Sequence, residues 1–317
     1  MTGGRVVGVD VGGTSSRALA MTLDGTPLGR GSAGGGNPNS HPPDLAAKRV
    51  AEAVRDALAP GGGEVRGCLL GLAGESKFTD PTVVDTFTSA LRQVGIAGPI
   101  SVLSDAEVAF AAGTGEPDGT VVISGTGAVA ARIAGHRKTS WVDGWGWLLG
   151  DEGSAYWIGR EAVRTTLRQL QAGEPPSPLA EAVLVEALPS LTSVAEPRVV
   201  NRLITAANAE APVRLARFAS MVSTCAATDP AAAGIVARAA DLLAGLAVAA
   251  RPAGDSPIVL AGSVIGPDSP VGVALRAALA ELTPAPVLFA TDGAAGAAWL
   301  AALEVVGPDA PRPRTRP

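Results

Sequence analysis

The sequence predicts an α/β fold built of two similar lobes, and three observations carry that reading. Short valine-rich strands alternate with longer segments of helical spacing. The order strand, Gly/Thr turn, strand, charged turn occurs twice, over residues 6–23 and again over 120–134, as a weak internal repeat. Hydrophobic residues make up 47% of the 317 positions, so the 40 glycines and 25 prolines do not mark a disordered chain. That length is enough for about two domains, each with its own core.

The elements follow in order. Residues 5–11 read as a buried strand and 16–23 as a second, and Asp24-Gly25 is a hairpin turn into a third over 26–32. A Gly/Asn/Pro loop spans 33–43. Asp44 reads as the N-cap of a helix to about 59, stopped by Pro60 and three glycines. Strand 65–72, helix 81–94 and strand 100–104 come next, then a helix over 106–112 entered through Asp105. Pure turn chemistry at 113–119 marks a domain boundary. The pattern then restarts with strand 120–124, turn 125–127, strand 128–134 and a third strand ending near 142. Beyond Gly150 the chain turns helical, over 152–172, 179–188, 198–207, 213–227 and 230–250. Strand 257–261, helix 270–282, strand 286–289 and helix 293–303 complete it.

Composition excludes several functions. The net charge of −5 and only three lysines, Lys48, Lys77 and Lys138, leave no basic footprint for nucleic acid. Cys68 and Cys225 are the only cysteines, too few for a disulfide framework, a zinc site or a cluster held by one chain. His41 and His136 are the only histidines and sit in polar loops, which disfavours a Ser-His-Asp centre. The first ten residues carry no signal-peptide core, and no run approaches 18 apolar residues. A soluble, cytoplasmic protein without a membrane partner is expected.

Four glycine-bearing segments follow buried strands. In Asp10-Val11-Gly12-Gly13-Thr14 the backbone N–H groups can approach an anion, the Thr14 hydroxyl adds a donor, and Asp10 suits a hydrated Mg²⁺. Ser124-Gly125-Thr126-Gly127 repeats that chemistry in the second unit. Two such turns, one per lobe, would clamp a nucleotide's polyphosphate, whereas neither G-x-x-x-x-G-K-[ST] nor G-x-G-x-x-G occurs at these turns. Leu260-Ala261-Gly262-Ser263 offers a surface free of side chains for an adenosine. The run from Gly144 to Trp157 gathers three of the five tryptophans and the only tyrosine, with Asp151 and Glu152 among them. Aromatic faces pack on sugar C–H groups, and a carboxylate fixes hydroxyls. Asp105 stands at the carboxyl end of a strand, where α/β ligand clefts lie, and serves either as an N-cap or as a general base.

The motifs GVDVGGTSSRA (8–18), SDAEVA (104–109), ISGTGAV (123–129), GWGWLLGDEGSAYWIGREAV (144–163) and LAGSVI (260–265) occur together in this order. The chain resembles the BadF/BadG/BcrA/BcrD ATPase family over about residues 5–304, and within it the N-acetylglucosamine kinases, relatives of actin, Hsp70 and hexokinase. The resemblance implies two actin-like (ribonuclease H-like) lobes around an interdomain cleft that closes on ATP and a sugar. It makes Gly12, Gly13 and Thr14 one phosphate turn and Gly125, Thr126 and Gly127 the other, with Gly262 and Ser263 in the adenosine motif. It makes Asp105 the catalytic base, Asp10 the acidic residue near Mg²⁺, and Asn37, Gly144, Trp145 and Asp151 sugar-binding positions. The expected domains are a lobe over 1–117, a lobe with a helical insertion over 118–292, a helix at 293–304 returning to the first lobe, and a flexible tail at 305–317.

The expected reaction is phosphorylation of a hexosamine at O6 by ATP, with N-acetylglucosamine leading. Two departures favour glucosamine as the alternative: Ala128 and Val129 stand where the eukaryotic kinases have Ser-Asn, and Asp143 precedes the GWG motif where Gly is common. Further alternatives are an ATPase switch and a sugar sensor without turnover. The expected partners are ATP, a small sugar and a second copy of the chain in a homodimer.

Overall fold

The computed structural model describes residues 4–191, 193, 198–252 and 254–314. Within them the chain divides into two compact units, Met1–Gly119 with Ile133–Lys138 and Leu288–Pro317, and Thr120–Arg132 with Thr139–Val287.

The first unit is built on a five-stranded sheet. Its strands are β1 (Arg5–Val11), β2 (Ser15–Thr22), β3 (Pro27–Gly34), β4 (Val65–Leu72) and β5 (Ile100–Ser104), in the order β3-β2-β1-β4-β5. β1 pairs antiparallel with β2 and β2 with β3, whereas β1–β4 and β4–β5 are parallel. The period of two along β1 sends Val7, Val9 and Val11 to one face and Val6 to the other. The first face is covered by α1 (Pro43–Leu58) and α2 (Pro81–Gln93). The second is covered by α3 (Asp105–Gly113) and by the last helix of the chain, Gly293–Val306, with Ala297, Ala298 and Leu300 buried. That helix lies so close to β1 that a Cβ at Gly8 would overlap the Ala298 backbone nitrogen.

The second sheet holds β6 (Gly119–Ser124), β7 (Ala128–Ala134), β8 (Arg137–Asp143), β9 (Ile258–Ala261) and β10 (Val287–Phe289), ordered β10-β9-β6-β7-β8. This is the order of the first sheet over again, strand for strand, and β6–β9 is parallel as β1–β4 is. The weak repeat in the sequence is therefore a repeat of topology. Helices α4 (Ala155–Gln171), α5 (Pro178–Ala187), α6 (Val199–Asn208), α7 (Ala219–Cys225), α8 (Pro230–Ala250) and α9 (Pro270–Leu282) belong to this unit, and α10 is Gly293–Val306.

Several boundaries differ from expectation. The first helix begins at Pro43 after Pro42, so Asp44 lies in its first turn and does not cap it. The helix expected from 152 starts at Ala155, because Asp151 (φ 58°) and Gly153 (φ 80°) are left-handed and Ser154 makes the cap. The expected helix at 213–227 is a 3-10 turn, Pro212–Phe218, followed by α7. A 3-10 turn at Glu75–Thr79 was not foreseen.

The segment expected as a flexible tail packs instead over residues 305–314. Trp299 Nε1 donates to the Ala310 carbonyl at 2.9 Å, and Arg312 Nη2 to that of Ala111 at 2.8 Å. Residues 1–3 and 315–317 lie outside the described residues. Among the described residues one helix, α8, is long and apolar enough to cross a membrane. It carries Arg238 and Asp241 mid-length, and Ile235, Val236 and Leu243 are buried within its unit.

Candidate active site

The first unit holds Asp10, Gly12, Gly13, Thr14, Asn37 and Asp105. The Gly12–Thr14 turn joins β1 to β2, closed by Gly12 N–H donating to the Ser15 carbonyl at 2.9 Å. The loop before α1 folds back on it, with Gly36 and Asn37 N–H groups both donating to the Gly12 carbonyl at 3.2 Å. His41 adds a contact that sequence reasoning missed: its Nε2 lies 2.7 Å from the Gly13 carbonyl.

Asp10 is the penultimate residue of β1, opposite Arg17 in the antiparallel register. Burial pushes its carboxyl up, Arg17 opposes that, and neighbouring Asp292 adds to it. Asp292 caps α10 by accepting the Ala295 N–H at 3.2 Å, and a Cβ at Gly293 would lie 2.8 Å from Asp10 Oδ2. The Asp10 carboxylate is a hard oxygen donor of the kind that suits Mg²⁺, which binds through one or two carboxylates and keeps its waters, whereas Asp292 has Oδ1 on the Ala295 N–H and Oδ2 on Arg30. Among the described residues no group of three or more His, Cys, Asp and Glu side chains could cage a metal. Asp292 was not anticipated from the sequence.

Asp105 opens α3 at the carboxyl end of β5, but the helix is capped elsewhere. The preceding Ser104 donates through both its N–H and its hydroxyl to Glu107 Oε2 at 2.8 Å. Glu107 is buried, and its other oxygen accepts the Lys138 N–H at 3.3 Å. Ser104 therefore stands at the N-cap and Asp105 does not, which removes the plainer of its two readings. Asn37 is buried, its Nδ2 donating to the Ala73 carbonyl at 2.8 Å and its Oδ1 accepting the Asn39 N–H at 2.8 Å. Asn39 is exposed beside it and reaches the Gly74 carbonyl, so both side-chain amides tie this loop to residues 73–74.

The second unit holds Gly125, Thr126, Gly127, Gly144, Trp145, Asp151, Gly262 and Ser263. The Gly125 N–H donates to the Gly127 carbonyl at 2.9 Å, and the N-terminus of α4 docks on this turn through Ala155 N–H to the Gly125 carbonyl at 2.8 Å. Gly262 follows β9 with φ 100° and lies so close to Ser124 that any Cβ would overlap the Ser124 carbonyl. No other residue fits both the angle and the space. The Gly262 turn and the strand end that leads into the Gly125–Gly127 turn are thus held against each other inside one unit.

The aromatic loop is strained at two aspartates. Asp143 (φ 62°) and Asp151 (φ 58°) are left-handed non-glycine residues. Asp143 is buried, and its two oxygens accept the N–H groups of Asp151 at 2.8 Å and Glu152 at 3.0 Å. Asp151 Oδ1 accepts the Ala128 N–H at 3.2 Å, and its carboxylate lies against Gly127. Burial pushes the Asp151 carboxyl up and nearby Asp143 adds to this, while the Ala128 N–H opposes it. Trp145 is 64% exposed, whereas Trp147 packs edge-to-face on Tyr156 with ring centroids 5.9 Å apart. The Trp145 ring is thus open to solvent, while Trp147 braces the loop.

The family model described as the BadF/BadG/BcrA/BcrD ATPase family matches residues 7–301. An N-acetylmuramic acid/N-acetylglucosamine kinase of Clostridium acetobutylicum is 31% identical over 166 residues, 51% of this chain and 53% of that protein. An N-acetyl-D-glucosamine kinase of Dictyostelium discoideum is 30% identical, over 56% of this chain and 59% of its own. The match thus spans little more than half the length of these curated relatives. A solved structure of a candidate N-acetylglucosamine kinase from Chromobacterium violaceum superposes with a TM-score of 0.72 at 24% identity, covering 95% of this chain and 99% of that one. The fold is that of the two-lobed, actin-like sugar kinases. With the family model matched from β1 into α10, the chain belongs to the BadF/BadG/BcrA/BcrD ATPase family.

Proposed function

We propose that the chain is an ATP-dependent hexosamine kinase that phosphorylates N-acetylglucosamine at O6. The observation that carries this is Asp105: a carboxylate at the carboxyl end of β5, in a unit that also holds a phosphate-type glycine turn, with the duty of capping α3 taken by Ser104. In the proposed step the O6 hydroxyl gives its proton to Asp105 while O6 attacks the γ-phosphorus in line. The O6–P bond forms, the bond from phosphorus to the bridging oxygen breaks, and ADP leaves. In this reading the backbone N–H groups of Gly13, Thr14, Thr126 and Gly127 face phosphate oxygens, those of Gly12 and Gly125 closing their own turns, and Gly262-Ser263 receives the adenosine. Asp10, with Asp292 beside it, would hold Mg²⁺, which when bound offsets phosphate charge. Trp145, Asp151 and the Asn37 loop hold the sugar.

Both curated relatives are named as N-acetylglucosamine kinases, the Clostridium one for N-acetylmuramic acid as well. The Asp143 carboxylate accepts two backbone N–H groups, so it is not held in reserve for a free amine, which weighs against glucosamine. Both cysteines are buried, which weighs against an ATPase switch that shares a metal cluster with a partner subunit. ADP release measured over hexoses, hexosamines and N-acetylhexosamines tests the reading. Release should be greatest with N-acetylglucosamine and fall about 10²- to 10⁴-fold in Asp105→Asn. Sugar-dependent release that survives Asp105→Asn would remove the base assignment, and no release with any sugar would remove the kinase.

A further inference from the structure

The first unit contains a cavity of about 620 Å³ that shares only Asp292 with the residues assigned above. Its walls include Arg30 of β3, Asp292 and Gly296 at the start of α10, and Arg312 and Arg314 of the C-terminal segment. In a chain of net charge −5, three guanidinium groups here face one carboxylate.

Arg312 is the unusual member. Its Nη2 donates to the carbonyls of Ala111 at 2.8 Å and Ala112 at 3.3 Å, and its guanidinium carbon lies 5.0 Å from the Trp299 ring centroid. Carbonyls and an aromatic face orient the group without neutralising it. Among the described residues no carboxylate lies within ion-pair distance of it, and burial pushes its pKa down. A half-buried cation lacking a counter-ion is costly, and an anion in the cavity would remove that cost. With Nη2 engaged on the two carbonyls, Nε–H and the Nη1 hydrogens remain as separate donors to phosphate oxygens.

The other two arginines can close on the same ligand. Arg30 pairs with Asp292 at 2.6 Å and Arg314 lies 3.9 Å from Asp24, and their side chains are 63% and 69% exposed. Both are long, flexible and able to turn inward. The volume falls in the range of small-molecule sites, about 300–1,000 Å³, and holds more than a bare phosphate ion.

We propose that this cavity binds a phosphate dianion, free or carried on a small molecule, with Arg312 as the fixed anchor and Arg30 and Arg314 as the closing arms. Occupancy has a consequence for the site described above. Arg30 neutralises Asp292, and Asp292 lies beside Asp10. An anion that recruits Arg30 changes the charge balance at Asp10 without touching it, so the cavity is placed to regulate.

Calorimetric titration of the full chain with inorganic phosphate and with a hexosamine 6-phosphate tests this. Each titration is run with and without excess non-hydrolysable ATP analogue and N-acetylglucosamine, to separate this cavity from the phosphoryl-transfer site. One saturable site that persists under that excess is expected, weakened about tenfold in Arg314→Gln and further in Arg312→Gln. Tighter binding of the ester than of inorganic phosphate identifies a phosphorylated sugar, and equal binding identifies the free ion; either result supports the site. Saturable binding that both variants leave intact, or none with either probe, overturns it. Arg314 is exposed, so its variant keeps the test valid if Arg312→Gln unfolds. The kinase reading does not enter, because variant dependence is read without turnover.

Discussion

Asp151 ties its own loop to Ala128 and, in the proposed function, also offers oxygen to a sugar; its raised pKa makes these two jobs separable. Its folded pKa lies above the ordinary aspartate value, so on acidification it protonates before an exposed carboxyl does, and the acceptor for a sugar hydroxyl is lost. Stability runs the other way. A native state that binds the proton more tightly than the unfolded chain gains stability as pH falls through that window. KM for N-acetylglucosamine should therefore rise on mild acidification while Tm does not fall for this reason, and Asp151→Asn should flatten the dependence. A flat wild-type profile would exclude Asp151 from the sugar site. Asp143 is a loop-builder. Asp143→Gly removes the acceptor for two N–H groups but relieves the left-handed strain, so KM for N-acetylglucosamine and glucosamine should rise together, by about tenfold or less. A selective gain for one sugar would mean the Asp143 carboxylate contacts the substrate.

At the scale of elements, caps decide which carboxylates are available for chemistry. Ser104 and Glu107 cap α3, Ser154 caps α4 and Asp229 caps α8. Asp229 is buried and accepts three N–H groups, from Ala231 at 2.8 Å, Ala232 at 3.2 Å and Leu179 at 2.8 Å, so one side chain joins α8 to α5. Burial alone would raise its pKa, yet the hydrogen bonds together hold it below the ordinary value. Asp229→Ala strands all three donors and should cost about 2 kcal/mol or more, read as a loss of Tm. Its low pKa adds stability above the ordinary aspartate range that fades as pH falls. An unchanged Tm would show that α8 is held by its buried face alone.

At the scale of the molecule, two units of the same strand order are each closed around their own core. Cys68 lies inside the first, 2% exposed, and burial pushes its thiol up to about 12 against the opposing pull of Arg92. Thiolate is the reactive form, so Cys68 reports opening of that core. In a Cys225→Ser background a thiol reagent at mildly alkaline pH should modify Cys68 only at the rate of unfolding. N-acetylglucosamine with an ATP analogue should slow that rate in proportion to the stabilisation they confer, about 2.7 kcal/mol at one hundred times Kd. Fast native labelling would show that the sheet opens locally.

Local chemistry in the sequence determined the element order, both glycine turns and the aromatic loop. Valine runs and Gly-Thr turns act over a few residues, and a backbone N–H needs no distant partner to point at an anion. The family followed from the same motifs, because they recur in one order. What only the tertiary structure decided depends on long-range contact. It turned a faint repeat into two sheets of matching strand order and took the cap of α3 away from Asp105. It set Asp292 beside Asp10 across the whole length of the first unit, and spent the Asp143 carboxylate on backbone N–H groups eight and nine residues on. It also drew the C-terminal segment onto Trp299 and Ala111. A side chain's partners depend on which strands and helices meet, and packing settles that where neighbouring residues in the chain do not.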